Sequence, residues 1–344
     1  MDDFSAEMPV SHSGKTPASP KLDMRVKQIA IFVAVAAIGG MLAYLYPTDG
    51  QERHPVKLIS TGSTPPLPEA HPATQPVSSP AQPAEDGMAQ MFAKTRNMRA
   101  FVEYAKQHPE KGGYAYAMKG LQKCYNAKQL TDALPNLPFD QIFPSEAYAA
   151  RQKAFTYLQN LCQGLSKSDF DRGVGRSLRE EGLKKNDPVV KIMTIASGIS
   201  SRNDPEGALR AKNQILQAIF TSYDPILIGD YGIRGNAIEN DMKSILFLNG
   251  KSYLFASEDG QIMFRAWRLA ACELGGDCSA TNEYVVMACI MAAHCHQNLA
   301  DLIKDELEDL GDKDGQWFQR AVMYARQIVD AIRRGDLQAF RPPA

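Results

Sequence analysis

An all-α body tethered to a single membrane-spanning helix is the architecture this sequence predicts, and three observations predict it. An uncharged apolar run near the N-terminus matches the thickness of a bilayer. A proline-rich stretch follows it. From about residue 87 onward, apolar side chains recur with the period of a helix, punctuated by cap and breaker residues.

The apolar run is residues 28–46, QIAIFVAVAAIGGMLAYLY, nineteen positions without a charge. As a helix it rises ~28 Å at ~1.5 Å per residue, close to the hydrocarbon core of a membrane. Tyr44 and Tyr46 fall where interfacial aromatics are expected. The run exceeds the apolar core of a cleaved signal peptide, and no small-residue cleavage site follows it, so it reads as a retained signal-anchor in contact with the lipid bilayer. Lys21, Arg25 and Lys27 crowd its N-terminal side, whereas Arg53 and Lys57 lie farther out beyond Asp49 and Glu52. That bias keeps residues 1–27 as a cytoplasmic tail and exports the remainder. The expected location is the bacterial inner membrane, single pass, with the C-terminal domain in the periplasm.

Residues 47–86 change character. STPPLPEAHPATQPVSSPAQPAED has almost no aliphatic bulk, and such a segment cannot bury enough apolar surface to offset its ordering entropy. It is expected to be a disordered, partly polyproline linker with a reach on the order of 100 Å.

The domain at 87–340 is expected to be helical throughout. Met88, Phe92, Met98, Phe101, Val102 and Ala105 recur near a 3.6-residue period until His108-Pro109 stops them. The segments AYAARQKAFTYLQNLCQGL and GQWFQRAVMYARQIVDAIRRGD repeat the pattern. The latter closes on Arg333, Arg334 and Gly335, which suit a helix C-terminus. Three Asp-Pro pairs, at Asp187, Asp204 and Asp224, mark helix starts, with Asp as cap and Pro at the first helical position. Their spacing fits helical hairpins or a degenerate helical repeat. KSYLFASED at 251–259 is a single weak strand candidate.

Composition narrows the function classes. The chain has 344 residues, 44% apolar and 22% charged, with a formal net charge of −1. Such a balance generates no field for nucleic acid, and none is expected as a partner.

Four of the six cysteines lie between residues 271 and 298, spaced as Cys272, Cys278, Cys289 and Cys295. Structural zinc knuckles pair their ligands two to four residues apart, and these gaps are five and ten. His294 and His296 flank the last cysteine, but on a continuing helix they would point roughly 200° apart. Haem and thioredoxin-like spacings are absent. In an exported domain an even cysteine count reads as disulfides. Cys124 and Cys162, on separate amphipathic helices, form one natural pair. The other four can pin a helical hairpin across its turn, with Gly275-Gly276 ending one helix and Ser279 or Thr281 opening the next. Their connectivity is open among three pairings.

Other candidates carry less. LGDKDGQ has Asp312, Asp314 and Gly315 at calcium-loop spacing, but Leu310 and Ala321 occupy two positions that need oxygen ligands. Gly173 and Gly175 lack the third glycine and the preceding strand of a phosphate loop. Glu180-Glu181 and Asp305-Glu306 read as solvated helix faces. Tyr114, Tyr116 and Met118 are expected to wedge two helices together rather than line a groove. No residue emerges as catalytic, cofactor-binding or metal-ligating, and no cofactor is implied.

Two stretches, HPEKGGYAYAMKGLQKC and ACELGGDCS, are similar to segments of membrane-anchored helical proteins of proteobacteria that carry no assigned activity. The resemblance covers under a fifth of the chain and implies an exported, cysteine-bridged helical domain. The expected function is a periplasmic binding or scaffolding module with an envelope protein as partner, not an enzyme. The alternatives are an envelope hydrolase acting on peptidoglycan or a related glycan, and a cytoplasmic-facing domain with a Cys/His metal site.

Overall fold

The computed structural model describes residues 87–133, 145–199, 204–240 and 243–342. The expected tail, membrane span and linker at 1–86 lie outside them. Among the described residues no helix is long and apolar enough to cross a membrane. These residues are predominantly helical, 73% helix, and include twelve α-helices.

The first periodic stretch forms two helices rather than one. α1 (Met88–Lys94) stops at Thr95, and α2 (Met98–Lys106) restarts where the Asn97 side chain accepts the Ala100 amide at 3.0 Å. An Asn N-cap satisfies an otherwise orphaned donor, so the restart is encoded locally. Met98, Phe101, Val102 and Ala105 then face the core as one stripe. A short turn, Pro109–Lys111, ends on Gly112 at φ +78°, a left-handed conformation that costs glycine little. α3 (Gly113–Ala133) folds back onto α2. Tyr114 to Ala117 are all buried, and the Tyr116 ring meets Phe92 edge-on at 5.8 Å. The tyrosines are helix wedges, as the sequence indicated.

α4 (Ser145–Leu161), α5 (Arg172–Lys184), α6 (Pro188–Ser197) and α7 (Pro205–Ser222) follow. Gly173 and Gly175 lie inside α5, where no phosphate loop is possible. All three Asp-Pro pairs act as foreseen. Asp187 accepts the amides of Val189 and Val190, Asp204 that of Gly207, and Asp224 those of Ile226 and Leu227.

After a wide helical turn at Leu227–Tyr231 and α8 (Gly232–Asn236), the chain departs from the all-helical expectation. β1 (Ile238–Asn240), β2 (Lys243–Leu248) and β3 (Lys251–Leu254) form an antiparallel sheet in the order β1-β2-β3. The register pairs Ile238 with Ile245 and Leu246 with Tyr253. Asn249-Gly250 makes the hairpin turn, both at positive φ (50° and 78°), the pair of conformations that a two-residue primed turn demands.

α9 (Glu258–Glu273), α10 (Glu283–Ala292), α11 (Leu299–Leu310) and α12 (Gln316–Arg334) complete the body. α9 and α12 share the most extensive helix interface. α12 ends as predicted, with Arg333, Arg334 and Gly335 at φ +63°. A final turn, Leu337–Phe340, drops Phe340 onto Trp267 (5.3 Å between centroids) and Phe220 (6.0 Å), and all three rings are buried. The Asn249 amide donates to the Ala339 carbonyl at 2.8 Å, which locks the sheet to that closing turn.

Candidate functional site

Helix ends organise the region from Cys272 to Asp309. The six cysteines form three pairs, Cys124–Cys162, Cys272–Cys278 and Cys289–Cys295, with Cα separations of 5.5, 5.6 and 4.2 Å. The first joins α3 to the end of α4. The other two do not span the α9–α10 hairpin, which corrects the sequence expectation. Each instead ties the last turn of a helix to the segment leaving it. A helix rises roughly 9 Å over six residues, beyond the ~7 Å limit for a bridged pair, so each bridge requires its helix to end between the two cysteines. α9 does so at Gly275, at φ +101°, and α10 at Ala293, at φ +62°. No cysteine is left free. Three such bridges fit an oxidising compartment and leave no thiolate for a Cys/His metal site.

The exit segments are tied to each other and to α3. The Leu299 amide donates to the Cys278 carbonyl at 2.9 Å, and Ser279 pairs with Asn298 in antiparallel fashion. Asn282, not Ser279 or Thr281, caps α10. Ser279 and Thr281 instead bond the Asp277 carboxylate at 2.7 and 3.2 Å. Lys123, buried beside Cys124, donates to the Thr281 carbonyl at 2.9 Å and stands over the rings of Phe92 and Tyr157. Its burial lowers the ammonium pKa, opposed by the charges of Glu283 and Asp277.

Because α10 stops at Ala292, His294 and His296 are not on a helix, and the roughly 200° separation expected on a continuing helix does not apply to them. The Ala293 and His294 amides return to the carbonyls of Cys289 and Ala288, and Cys295 between the two histidines is bridged back to α10. Alternate residues of this short non-helical segment then reach the same side, toward α11. His294 Nδ1 makes a short contact with Asp305 Oδ2, and His296 Nε2 lies 3.1 Å from that same oxygen. The other ring nitrogen of His294 is 3.7 Å from Asp309, one turn further along α11. One ligand atom from each of His294, His296 and Asp305 lies within 4.8 Å of the other two. All three side chains are partly exposed, at 31%, 24% and 34%.

Asp305-Glu306 is therefore not the plain solvated pair that the sequence suggested. Burial alone would raise the Asp305 pKa, but hydrogen bonds and charge from His294 and His296 outweigh it and hold the carboxyl below its ordinary range. Glu306 accepts Arg265 Nε at 3.1 Å and makes a short bond with the Tyr284 hydroxyl, which joins α9, α10 and α11. Arg268 lies over the Tyr284 ring at 3.9 Å. The ledge that carries Asp305 is thus fixed on two sides.

Among the described residues two carboxylates, Asp187 and Asp224, have pKa values raised by burial, and both are engaged in hydrogen bonds within the fold. Asp224 is pushed up to about 6. Its oxygens are taken by Ile226, Leu227 and the Tyr116 hydroxyl. Asp187 is raised, against the pull of its backbone hydrogen bonds, and is occupied by Tyr114, Val189 and Val190. An open concavity of about 510 Å³ lies along one face of α12, lined by Phe318, Val322, Met323, Arg326 and Asp330 among others. The 312–315 stretch is a turn before α12, in which Asp312 accepts the Phe318 amide at 3.0 Å.

No family model matches the chain, and no curated protein or solved structure is similar enough to it to count as a match.

Proposed function

We propose that the chain is a membrane-tethered helical module, held on the periplasmic side of a bacterial inner membrane, that binds an envelope protein rather than turning over a substrate. Residues 28–46 anchor it, residues 47–86 space it from the lipid, and the body from 87 onward is the displayed part. The observation that carries this reading is the complete pairing of six cysteines in a chain that also has one bilayer-length apolar run. Bridges persist where thiols are driven to couple, and the basic bias before the run sets which side that is.

The same geometry favours a binding module over an envelope hydrolase. A glycan hydrolase needs a carboxylic acid with a raised pKa within reach of substrate. Asp187 and Asp224, which have that property, spend their oxygens on helix caps and on Tyr116.

C-terminal fusions to alkaline phosphatase and to a fluorescent protein that matures only in the cytoplasm test sidedness. Active phosphatase with a dark fluorescent fusion is the expected result; the reverse pattern overturns the reading. Incubation of the purified chain with isolated peptidoglycan tests the second half. No release of soluble fragments is expected, and release would replace the binding module with the hydrolase.

A further inference from the structure

We propose that His294, His296 and Asp305 form a binding site for one divalent first-row transition-metal ion, with zinc as the representative ion. Two imidazoles and one carboxylate are a donor set for metals that prefer nitrogen, whereas magnesium and calcium seek nearly all-oxygen shells. The Cys/His arrangement weighed from the sequence used thiolates; this one uses none, because Cys289 and Cys295 are bonded to each other.

Three features point to a metal rather than to an ion pair alone. First, both imidazoles converge on a single oxygen, Asp305 Oδ2, although one histidine would suffice to pair with it. Second, the segment carrying them is held by covalent means: the bridge at Cys295 sits between the two histidines, and Ala293 adopts a left-handed conformation that a non-glycine residue rarely takes. Backbone held in such a state is a common mark of a positioned site. Third, Asp309 stands 3.7 Å from the second nitrogen of His294. A carboxylate behind a ligating histidine orients the ring and raises its basicity.

The spacing is suitable. Ligands of a tetrahedral zinc at ~2.0–2.1 Å are separated by about 3.3 Å. His296 Nε2 and Asp305 Oδ2 are already 3.1 Å apart, and the whole set lies within 4.8 Å. The partial exposure of all three side chains leaves the fourth position to water or to a donor from a partner. Asp305 and Asp309 supply the negative charge that offsets the ion.

The test uses the full chain, disulfide-bonded, stripped with a chelator and free of any polyhistidine tag. Calorimetric titration with zinc is expected to show one equivalent bound per chain, and titration with magnesium to show none. His296→Gln and Asp305→Asn should each weaken zinc binding by roughly a hundredfold, and Asp309→Asn by roughly tenfold. His108→Gln should leave it unchanged, since His108 contacts Glu110 and the Tyr104 ring and is far in sequence from the three proposed ligands. Binding that survives in a His294→Gln, His296→Gln double variant overturns the proposal, as does the lack of saturable binding in the unaltered chain.

A measurement without variants guards against misfolding. Zinc should protect His294 and His296 from acylation by diethyl pyrocarbonate several-fold, read by peptide mass spectrometry, and leave His108 unprotected. Equal protection or equal modification of all three rules the site out.

Discussion

The Tyr116 hydroxyl donates to Asp224 Oδ2 at 3.1 Å, so the first turn of α3 is bonded to the helix start that lies 108 residues further along the chain. Residues brought together by that contact are set by the fold, not by sequence proximity, and the bond places a carboxylate among apolar neighbours. Burial is the main reason that the Asp224 pKa rises to about 6. In the unfolded chain an aspartate titrates near ~3.9. A group whose folded pKa is raised contributes stability that is full below the unfolded value and lost as the pH climbs through the folded one. Asp224→Asn removes the titration while keeping a cap. The stability of the natural chain relative to this variant should fall by about 1–2 kcal/mol between about pH 4 and about pH 7, the figure being reduced for the partial exposure of the residue. Urea unfolding across that range checks it, and a flat difference contradicts it.

Asp187 caps α6 through the Val189 and Val190 amides at 2.9 Å and also accepts the Tyr114 amide from the start of α3 at 2.8 Å. It is fully buried. Asp187→Ala strands three buried donors and should cost about 3 kcal/mol or more, beyond a simple cap loss. Equilibrium unfolding of the variant measures it. A loss below about 1 kcal/mol would mean that solvent reaches the site.

A Cβ added at Gly232 would collide with the buried Trp267 ring. Neither can retreat, because Trp267 is packed against Phe340 and has no exposed surface. Gly232→Ala should destabilise by about 1–3 kcal/mol through overpacking, despite the better helix propensity of alanine. A rise in thermal midpoint would show that the core yields.

The bridges are unequal. Cys124–Cys162 spans 38 positions and the other two span six each. In the chain-entropy account the first contributes about 4 kcal/mol and each short bridge about 2 kcal/mol. Paired Cys→Ala variants compared by denaturant unfolding should keep that order. The Cys289→Ala, Cys295→Ala pair should also weaken zinc binding, while the Cys272→Ala, Cys278→Ala pair should affect it less.

Sequence patterning revealed helix starts better than helix ends. The Asp-Pro caps and the Arg333-Arg334-Gly335 terminus were legible because each is a local device, complete within four or five residues. The Asn249-Gly250 turn between apolar runs is an equally local signal for the hairpin, although residue patterning picks out only the strand after it. The break at Thr95–Asn97 carried a similar sign in Asn97. The convergence of His294 and His296 could not be read from periodicity, since the apolar run YVVMACIMAA continues into HCHQ without glycine or proline. α10 ends at Ala293 because Cys289 and Cys295 are joined, and the pairing of four cysteines is a tertiary outcome. Once that pairing is known, a helix end between Cys289 and Cys295 follows from geometry; the approach of both histidines to Asp305 depends further on where α11 packs.

Non-reducing peptide mapping by mass spectrometry, on protein alkylated at harvest without reductant, reads the cysteine pairing itself. Three linked pairs, Cys124 with Cys162, Cys272 with Cys278 and Cys289 with Cys295, are expected, with no alkylated cysteine. Six alkylated thiols, or a bridge that joins Cys272 or Cys278 to Cys289 or Cys295, would contradict it.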